Sequence, residues 1–179
     1  MKNLTTLFCV LLIGTCCFNA ADAQTRSDKK AARIEKMTQL INSHNYIFVA
    51  DNANPTRGGT RTLTGEYDLT FAKDSVIAFL PYFGRAYLAD YSGYDEGIKF
   101  TWTDVNYQVV SEKKGNTEIL ITPKDKDKNI GDAKAVQSMR LNISSDGYAS
   151  LQIISYNRDP IIFYGTIEER KIPKVQASL

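Results

Sequence analysis

Most of the sequence consists of short runs of aromatic and β-branched residues separated by brief turns. Within residues 63–72, Tyr67, Leu69 and Phe71 alternate with polar side chains, which is the pattern of a strand with one buried face. Parallel pairing would need crossovers of about a dozen residues, usually helical, and no second helical pattern occurs. The sequence therefore predicts an antiparallel up-and-down meander of about eight strands. The predicted strands are residues 46–50, 63–72, 75–80, 97–104, 107–111, 117–122, 136–144, 148–157 and 161–167.

This number of strands also limits the shape of the sheet. A flat sheet would leave two long unpaired edges, which invite pairing with other chains. We therefore expect the meander to curl into a closed or half-open barrel. Most of the predicted strands are shorter than the roughly 9 to 11 residues that a membrane barrel needs, so a membrane-spanning barrel is not expected.

One amphipathic helix is predicted ahead of the strands, within residues 24–45. Ser27 is a suitable N-cap, and the next sixteen or so residues contain neither Gly nor Pro. Apolar side chains recur there at intervals of three and four residues. Because the apolar stripe is narrow, we expect the helix to cover one edge or one mouth of the barrel. The stripe consists of Ala31, Ile34, Met37, Leu40 and Ile41.

The first 23 residues have the order of a secretory signal peptide. Lys2 precedes an apolar run, and a small-x-small site ends at Ala23. We therefore expect a cleaved segment 1–23, a helix in 24–45, a barrel domain in 46–170 and a C-terminal tail in 171–179. The expected location is the periplasm or the extracellular space, as a monomer that does not span the membrane.

All three cysteines, Cys9, Cys16 and Cys17, lie inside the predicted signal segment. The expected mature chain therefore has no disulfide and no thiol for catalysis or metal binding. An alternative is a lipoprotein anchored through Cys16 or Cys17. The residue before either cysteine is not the small Gly, Ala or Ser expected there, which favours cleavage after Ala23.

The formal net charge of +2 is close to neutral. Nucleic-acid binding requires clustered basic residues. The basic residues of 26–33 and 124–128 are interspersed with polar and acidic ones and are typical of solvated surfaces. Nucleic acid is therefore not an expected partner.

The residues also argue against several kinds of catalysis. His44, the only histidine, lies at the predicted helix end, where it can favour the helix dipole. No glycine pattern typical of a nucleophile elbow surrounds any serine. Asp125, Asp127 and Asp132 are spaced suggestively for calcium, but lysines alternate with them and the usual glutamate ligand is missing. We predict no catalytic residue, no metal and no cofactor.

Paired carboxylates leave one enzymatic alternative open. Asp90, Asp95 and Glu96 lie close together in a glycine-containing segment. Two carboxyl groups at a suitable separation can cleave a glycosidic bond. Such residues in turns more often stabilise the turn itself. A carboxylate-dependent glycan hydrolase is thus the second hypothesis.

The segment 80–94 is the most distinctive one, because it combines five aromatic rings and Arg85 with one proline and two glycines. Tyrosine and tryptophan rings with an arginine suit a sugar ring or a small amphipathic anion. A second segment, 157–160, carries Arg158, which would favour an anionic ligand if it faced the same mouth as Arg85. The same side chains could instead fill or pin the barrel. The candidate ligand-binding residues are Tyr82, Phe83, Arg85, Tyr87, Tyr91, Trp102, Arg158 and Tyr164.

Three segments together carry a family resemblance: 80–87 with the letters LPYFGRAY, 97–100 with GIKF, and 155–165 with SYNRDPIIFYG. On these motifs the chain resembles secreted Bacteroidetes proteins grouped as domain of unknown function 4251. The resemblance extends from the first helix to Ile167. It implies a single cell-envelope or secreted domain with a lipocalin-like β-barrel, and it implies no activity.

Together these observations predict a mainly β protein with one N-terminal helix. The leading functional hypothesis is an exported, non-catalytic binding module for a small amphipathic or anionic molecule, an envelope glycan or a protein partner. A structural or inhibitory protein that uses its strand edges is a further alternative.

Overall fold

The computed structural model describes residues 18–87, 97–113, 115–124 and 135–170, with the side chains of 18–25 left out. The chain divides into two compact units, Met1–Lys36 and Met37–Leu179. Most of the predicted signal segment and the whole predicted tail therefore lie outside the described residues. The elements are α1 (Phe18–Asn42), β1 (Asn45–Pro55), β2 (Arg61–Thr62), β3 (Asp68–Ala72), β4 (Ser75–Leu80), β5 (Ile98–Trp102), β6 (Val105–Lys113), β7 (Asn116–Pro123), β8 (Val136–Ile143), β9 (Tyr148–Ser155) and β10 (Ile161–Glu169).

The predicted N-terminal helix is confirmed, although it begins earlier than expected, at Phe18. The helix ends because His44 adopts the left-handed conformation, with φ of 50°, and its N–H donates to the Ile41 carbonyl over 3.1 Å. In the last turn Ile41 is buried, and Met37 and Leu40 pack against the core of the sheet. No helix in the described part of the chain is long and apolar enough to cross a bilayer.

All neighbouring strands pair antiparallel, as the short turns predicted. Along the sheet the order is β5-β4-β3-β1-β10-β9-β8-β7-β6, with β2 paired to β1. The first strand thus pairs with the last. The two strands at the ends of this order, β5 and β6, are joined in the chain by only Thr103 and Asp104. The sheet therefore curls into a half-open barrel, and the chain itself connects its two edges.

The largest departure from the predicted strands is around β1. This strand continues to Pro55 instead of stopping near residue 50, and a β-bulge interrupts its register between Ala50 and Asn52. Part of the predicted strand 63–72 is consequently irregular. Its residues still follow β1 through two backbone bonds, from Leu63 to Asp51 over 2.8 Å and from Ala50 to Tyr67 over 2.9 Å.

Alternation along the strands fills the interior with side chains. Residues from β1, β3, β4 and β7 to β10 are fully buried there. Burying such a side chain contributes about 1.5 to 3 kcal/mol. The interior is therefore a packed core, in agreement with the structural alternative for small barrels. Its largest members are Tyr46, Phe48, Leu69, Phe71, Leu80, Ile119, Ile121, Met139, Leu141, Ile143, Leu151 and Phe163.

Candidate functional site

The two segments singled out from the sequence meet at one end of the barrel. Ala86, after β4, forms an isolated antiparallel bridge with Arg158, in the turn between β9 and β10. The Tyr87 N–H donates to the Asn157 carbonyl over 2.8 Å, and the Asp159 N–H donates to the Arg85 carbonyl over 3.0 Å. Segment 81–87 and turn 156–160 therefore form one continuous rim.

The buried side chain of Arg158 holds this rim in place from the protein interior. Its side chain is only 5% exposed, and Nη1 donates to the Gly97 carbonyl over 3.1 Å. The guanidinium also lies 4.6 Å from the centre of the Tyr82 ring. Arg158 thus joins the β9–β10 turn to the residue that precedes β5. The backbone of turn 157–159 is hydrogen-bonded to the segment of Arg85. The Arg158 side chain, however, is buried and makes its contacts inside the rim.

Tyr82 provides the second tie between the two segments. Its ring is buried, and its single hydroxyl proton is shared between the Arg85 carbonyl oxygen at 2.9 Å and the Asp159 carbonyl oxygen at 3.2 Å. Burial, followed by the nearby Asp159 carboxylate, raises the pKa of this hydroxyl. The neutral donor form is therefore stable at physiological pH. Gly84 must lack a side chain, because a Cβ there would lie 2.6 Å from the Tyr82 oxygen.

Outside the contacts of Arg158 and Tyr82, the rim has arginine and aromatic side chains that are exposed to solvent. Tyr87 is 63% exposed, and its hydroxyl donates to the Asp159 carboxylate. That hydrogen bond raises the pKa of Tyr87, whereas the positive charges of Arg57 and Arg85 act on it in the opposite direction. The Thr56 hydroxyl donates to the Pro160 carbonyl over 2.8 Å, which places the exposed Arg57 at the same rim as Arg85. We call the set Arg57, Arg61, Phe83, Arg85 and Tyr87 the arginine rim.

Phe83 and Arg61 complete the arginine rim. Phe83 is half-buried, and the Arg61 guanidinium lies 4.8 Å from the centre of its ring. Arg57 and Arg61 were not among the candidates from the sequence. They flank Gly58 and Gly59 in a polar turn, and a glycine turn between two arginines is the signal that could have found them.

The remaining predicted site residues lie elsewhere. Trp102 is on the inner face at the far end of β5, where it stacks on Phe100 with ring centres 4.2 Å apart. Tyr164 is on the outer face of β10 and is 44% exposed. Tyr91 lies outside the described residues. So do the carboxylates of the hydrolase hypothesis and the aspartates considered for calcium, Asp90, Asp95, Glu96, Asp125, Asp127 and Asp132.

An open depression of about 430 Å³ lies near the start of β1 and β6. His44 contacts the Tyr107 ring there, with centres 4.3 Å apart, and Lys124 forms an ion pair with Asp104. Arg85 does not line it. No local sequence signal marks this depression, because its residues come from separate turns. Within the described ranges, no three His, Cys, Asp or Glu side chains cluster as a metal site requires. The lining residues are His44, Lys73, Asp74, Thr103, Asp104, Val105, Tyr107 and Lys124.

Comparisons with known proteins now identify the family. The sequence model of the domain of unknown function 4251 matches residues 28–167. The chain belongs to this family. The resemblance carried by the rim and strand motifs is thereby confirmed.

A solved structure supports the fold of this DUF4251 member. The crystal structure of a DUF4251 family protein from Bacteroides eggerthii DSM 20697, at 1.95 Å resolution, is similar with a TM-score of 0.52. The two sequences are 15% identical, and the alignment covers 78% of this chain and 91% of the other. At that identity the likeness concerns the fold alone. No curated protein matches the chain.

Proposed function

We propose that this DUF4251 protein is an exported, non-catalytic binding module that meets an anionic ligand, such as an acidic envelope glycan, at the arginine rim. The observation that carries the proposal is that the exposed Arg85 and Arg57 lie at the same rim, because the Thr56 hydroxyl, beside Arg57, donates to the Pro160 carbonyl over 2.8 Å. The backbone segment that carries Arg85 is held in place by the buried Arg158 and Tyr82. A cation on a fixed backbone segment is partly preorganised for binding, because less ordering entropy is lost when the ligand arrives.

The packed interior supports binding at the rim rather than inside the barrel. Phe48, Phe163 and Leu151 are fully buried members of the core inside the barrel. We therefore place the ligand on the outside. There, guanidinium groups can form paired hydrogen bonds with a carboxylate, sulfate or phosphate group, while the Tyr87 ring can stack on a sugar.

Export is the second part of the proposal. It is supported by the charged start, the apolar run and the small-x-small site that ends at Ala23. Mass spectrometry of the protein recovered from the periplasmic or extracellular fraction should find Gln24 as the first residue. A chain that keeps residues 1–23 in the cytoplasm would contradict export.

Binding is tested with the purified protein and soluble polysaccharides. We expect polygalacturonate or dextran sulfate to retard the protein in affinity electrophoresis, and any retardation by uncharged dextran to be the same for Arg85→Ala as for the unaltered chain. Arg85→Ala should weaken binding about tenfold, since a charge-assisted hydrogen bond to a ligand contributes about 1.5 to 3 kcal/mol. Binding should also weaken in about 0.5 M NaCl because salt screens exposed charges.

Lys113→Ala is the matched control. It removes the same charge from an exposed residue at the hairpin between β6 and β7, at the other end of the strands. It should leave the affinity nearly unchanged. The proposal is wrong if no anionic polysaccharide binds, or if Lys113→Ala weakens binding as much as Arg85→Ala.

A further inference from the structure

A row of uncharged polar side chains crosses the outer face of five strands. The pairing registers place Asn142 beside Ser150, Ser150 beside Tyr164, Tyr164 beside Asn52, and Asn52 beside Thr62. At a spacing of about 4.8 Å between strands, this row is about 19 Å long. We call these five residues the polar row. It lies outside the arginine rim and outside the depression at His44.

The bulge in β1 places one of these amides on the outer face. Before the bulge the buried residues of β1 have even numbers, such as Phe48 and Ala50, and after it they have odd numbers, such as Ala53. Without the extra residue, Asn52 would point into the apolar core. A bulge that re-aims a side chain in this way is often a functional device.

Two tyrosines give the polar row its exposed rings. Tyr164 lies at its centre with 44% of its surface exposed. Tyr148 lies on the same face of β9, 69% exposed, as a diagonal neighbour of Tyr164 across the strand pair. Diagonal neighbours are about 7 to 8 Å apart, within reach of aromatic side chains. The outer face also carries Gln152 and Asn54 beside the row.

The chemistry of the polar row selects one class of ligand. Its side chains offer amide and hydroxyl groups that both donate and accept hydrogen bonds, and none of the five is charged. The neighbouring Arg140 forms an ion pair with Glu118. Apart from Arg61, which precedes Thr62 and has its guanidinium over the Phe83 ring, an anionic ligand would meet little unbalanced positive charge here. A protein interface would be expected to have a more apolar centre.

We propose that the polar row binds a neutral polysaccharide chain laid across the strands. Sugar hydroxyl groups match the alternating donors and acceptors of the row, and the apolar face of a sugar ring fits the exposed Tyr164 ring. This site is independent of the anionic ligand proposed for the arginine rim, because it uses different residues and a different kind of contact.

The test is affinity electrophoresis of the purified protein in gels that contain dextran, galactomannan or xyloglucan. At least one of these neutral polysaccharides should retard the protein. The retardation should persist in about 0.5 M NaCl, since no charge pairing is involved. Tyr164→Ala should reduce the affinity about tenfold, as for a central aromatic contact. Tyr164→Phe keeps the ring and should retain most of the binding.

Phe79→Ala is the matched control, because it removes a ring of nearly equal exposure, 43% against 44%, from the outer face of β4 and should leave retardation by neutral polysaccharides unchanged. Thermal unfolding of each variant separates loss of binding from loss of fold. The inference is overturned if no neutral polysaccharide retards the protein, if Tyr164→Ala binds like the unaltered chain, or if Phe79→Ala loses as much affinity. Neither of the first two results affects binding of anionic polysaccharides at the rim.

Discussion

Two arginines near the same rim have opposite environments. Arg158 is 5% exposed and bonded to the Gly97 carbonyl, whereas Arg85 is exposed and contributes its backbone carbonyl to Tyr82 and Asp159. Both are followed by small or turn-forming residues in the sequence, and the two look equally available to a ligand. Their roles follow from burial: one arginine is part of the structure, and the other is free to contact solvent.

This difference predicts different effects on stability. Arg158→Ala should lower the free energy of unfolding by about 2 to 4 kcal/mol, because a buried charged hydrogen bond and the packing on Tyr82 are lost. Arg85→Ala should change it by less than about 0.5 kcal/mol, as for most exposed positions. Urea denaturation followed by tryptophan fluorescence measures both. Equal effects of the two substitutions would contradict the structural role of Arg158.

At the scale of single elements, β1 organises the sheet. It pairs with β3 on one side and with β10 on the other, and its bulge faces Gly165 of β10. A Cβ on Gly165 would lie 1.8 Å from the Val49 carbonyl oxygen, a separation that no real structure allows. The close approach of the two backbones at the bulge therefore requires glycine at this position.

Gly165→Ala should consequently destabilise the protein by about 3 kcal/mol or more, because the backbone of a central strand must move to accommodate the methyl group. Gly59→Ala is the control. That glycine has a positive φ, 76°, and a Cβ there meets nothing within 4 Å. It should cost about 1 to 2 kcal/mol, the cost of the left-handed conformation alone. Thermal unfolding measures both, and a milder effect at Gly165 than at Gly59 would contradict the close approach.

At the scale of the barrel, Tyr107 links an edge strand to the middle of the sheet. From β6 its hydroxyl bonds to that of Tyr46 on β1 over 2.9 Å, and its ring packs edge-on against Phe71 of β3. In the pairing order β6 is separated from β1 by the four strands β7 to β10. The contact between Tyr107 and Tyr46 therefore crosses the interior. This contact and the Thr103–Asp104 connection both help to keep the sheet curled.

Burial raises the pKa of Tyr107 to about 12. An unfolded tyrosine loses its proton near pH 10, so the stabilising contribution of the neutral hydroxyl is complete below pH 10 and is lost between pH 10 and about 12. We expect the urea midpoint to fall in that range. Tyr107→Phe should reduce the fall, and Tyr148→Phe, at an exposed site, should not. A fall that Tyr107→Phe leaves unchanged would exclude Tyr107 as its source.

The sequence by itself determined the class of fold. Alternation in runs such as 75–80 and the short turns between strands depend on local backbone preferences, so an antiparallel sheet with one leading helix could be predicted without knowing any distant contact. The same local reasoning placed Arg85 and Tyr87 on the connection after β4. It failed at the β1 bulge, because a one-residue shift in register is set by the partner strand β10.

Only the tertiary structure decided which side chains share a surface. The burial of Arg158, the grouping of Arg57 and Arg61 with Arg85, and the alignment of Asn52 with Tyr164 and Ser150 all depend on pairing between segments far apart in the chain. Register and curvature arise from the packing of the whole core, and no local pattern encodes them. The sequence therefore determined the strands and their alternation, and the tertiary structure determined the rim and the polar row.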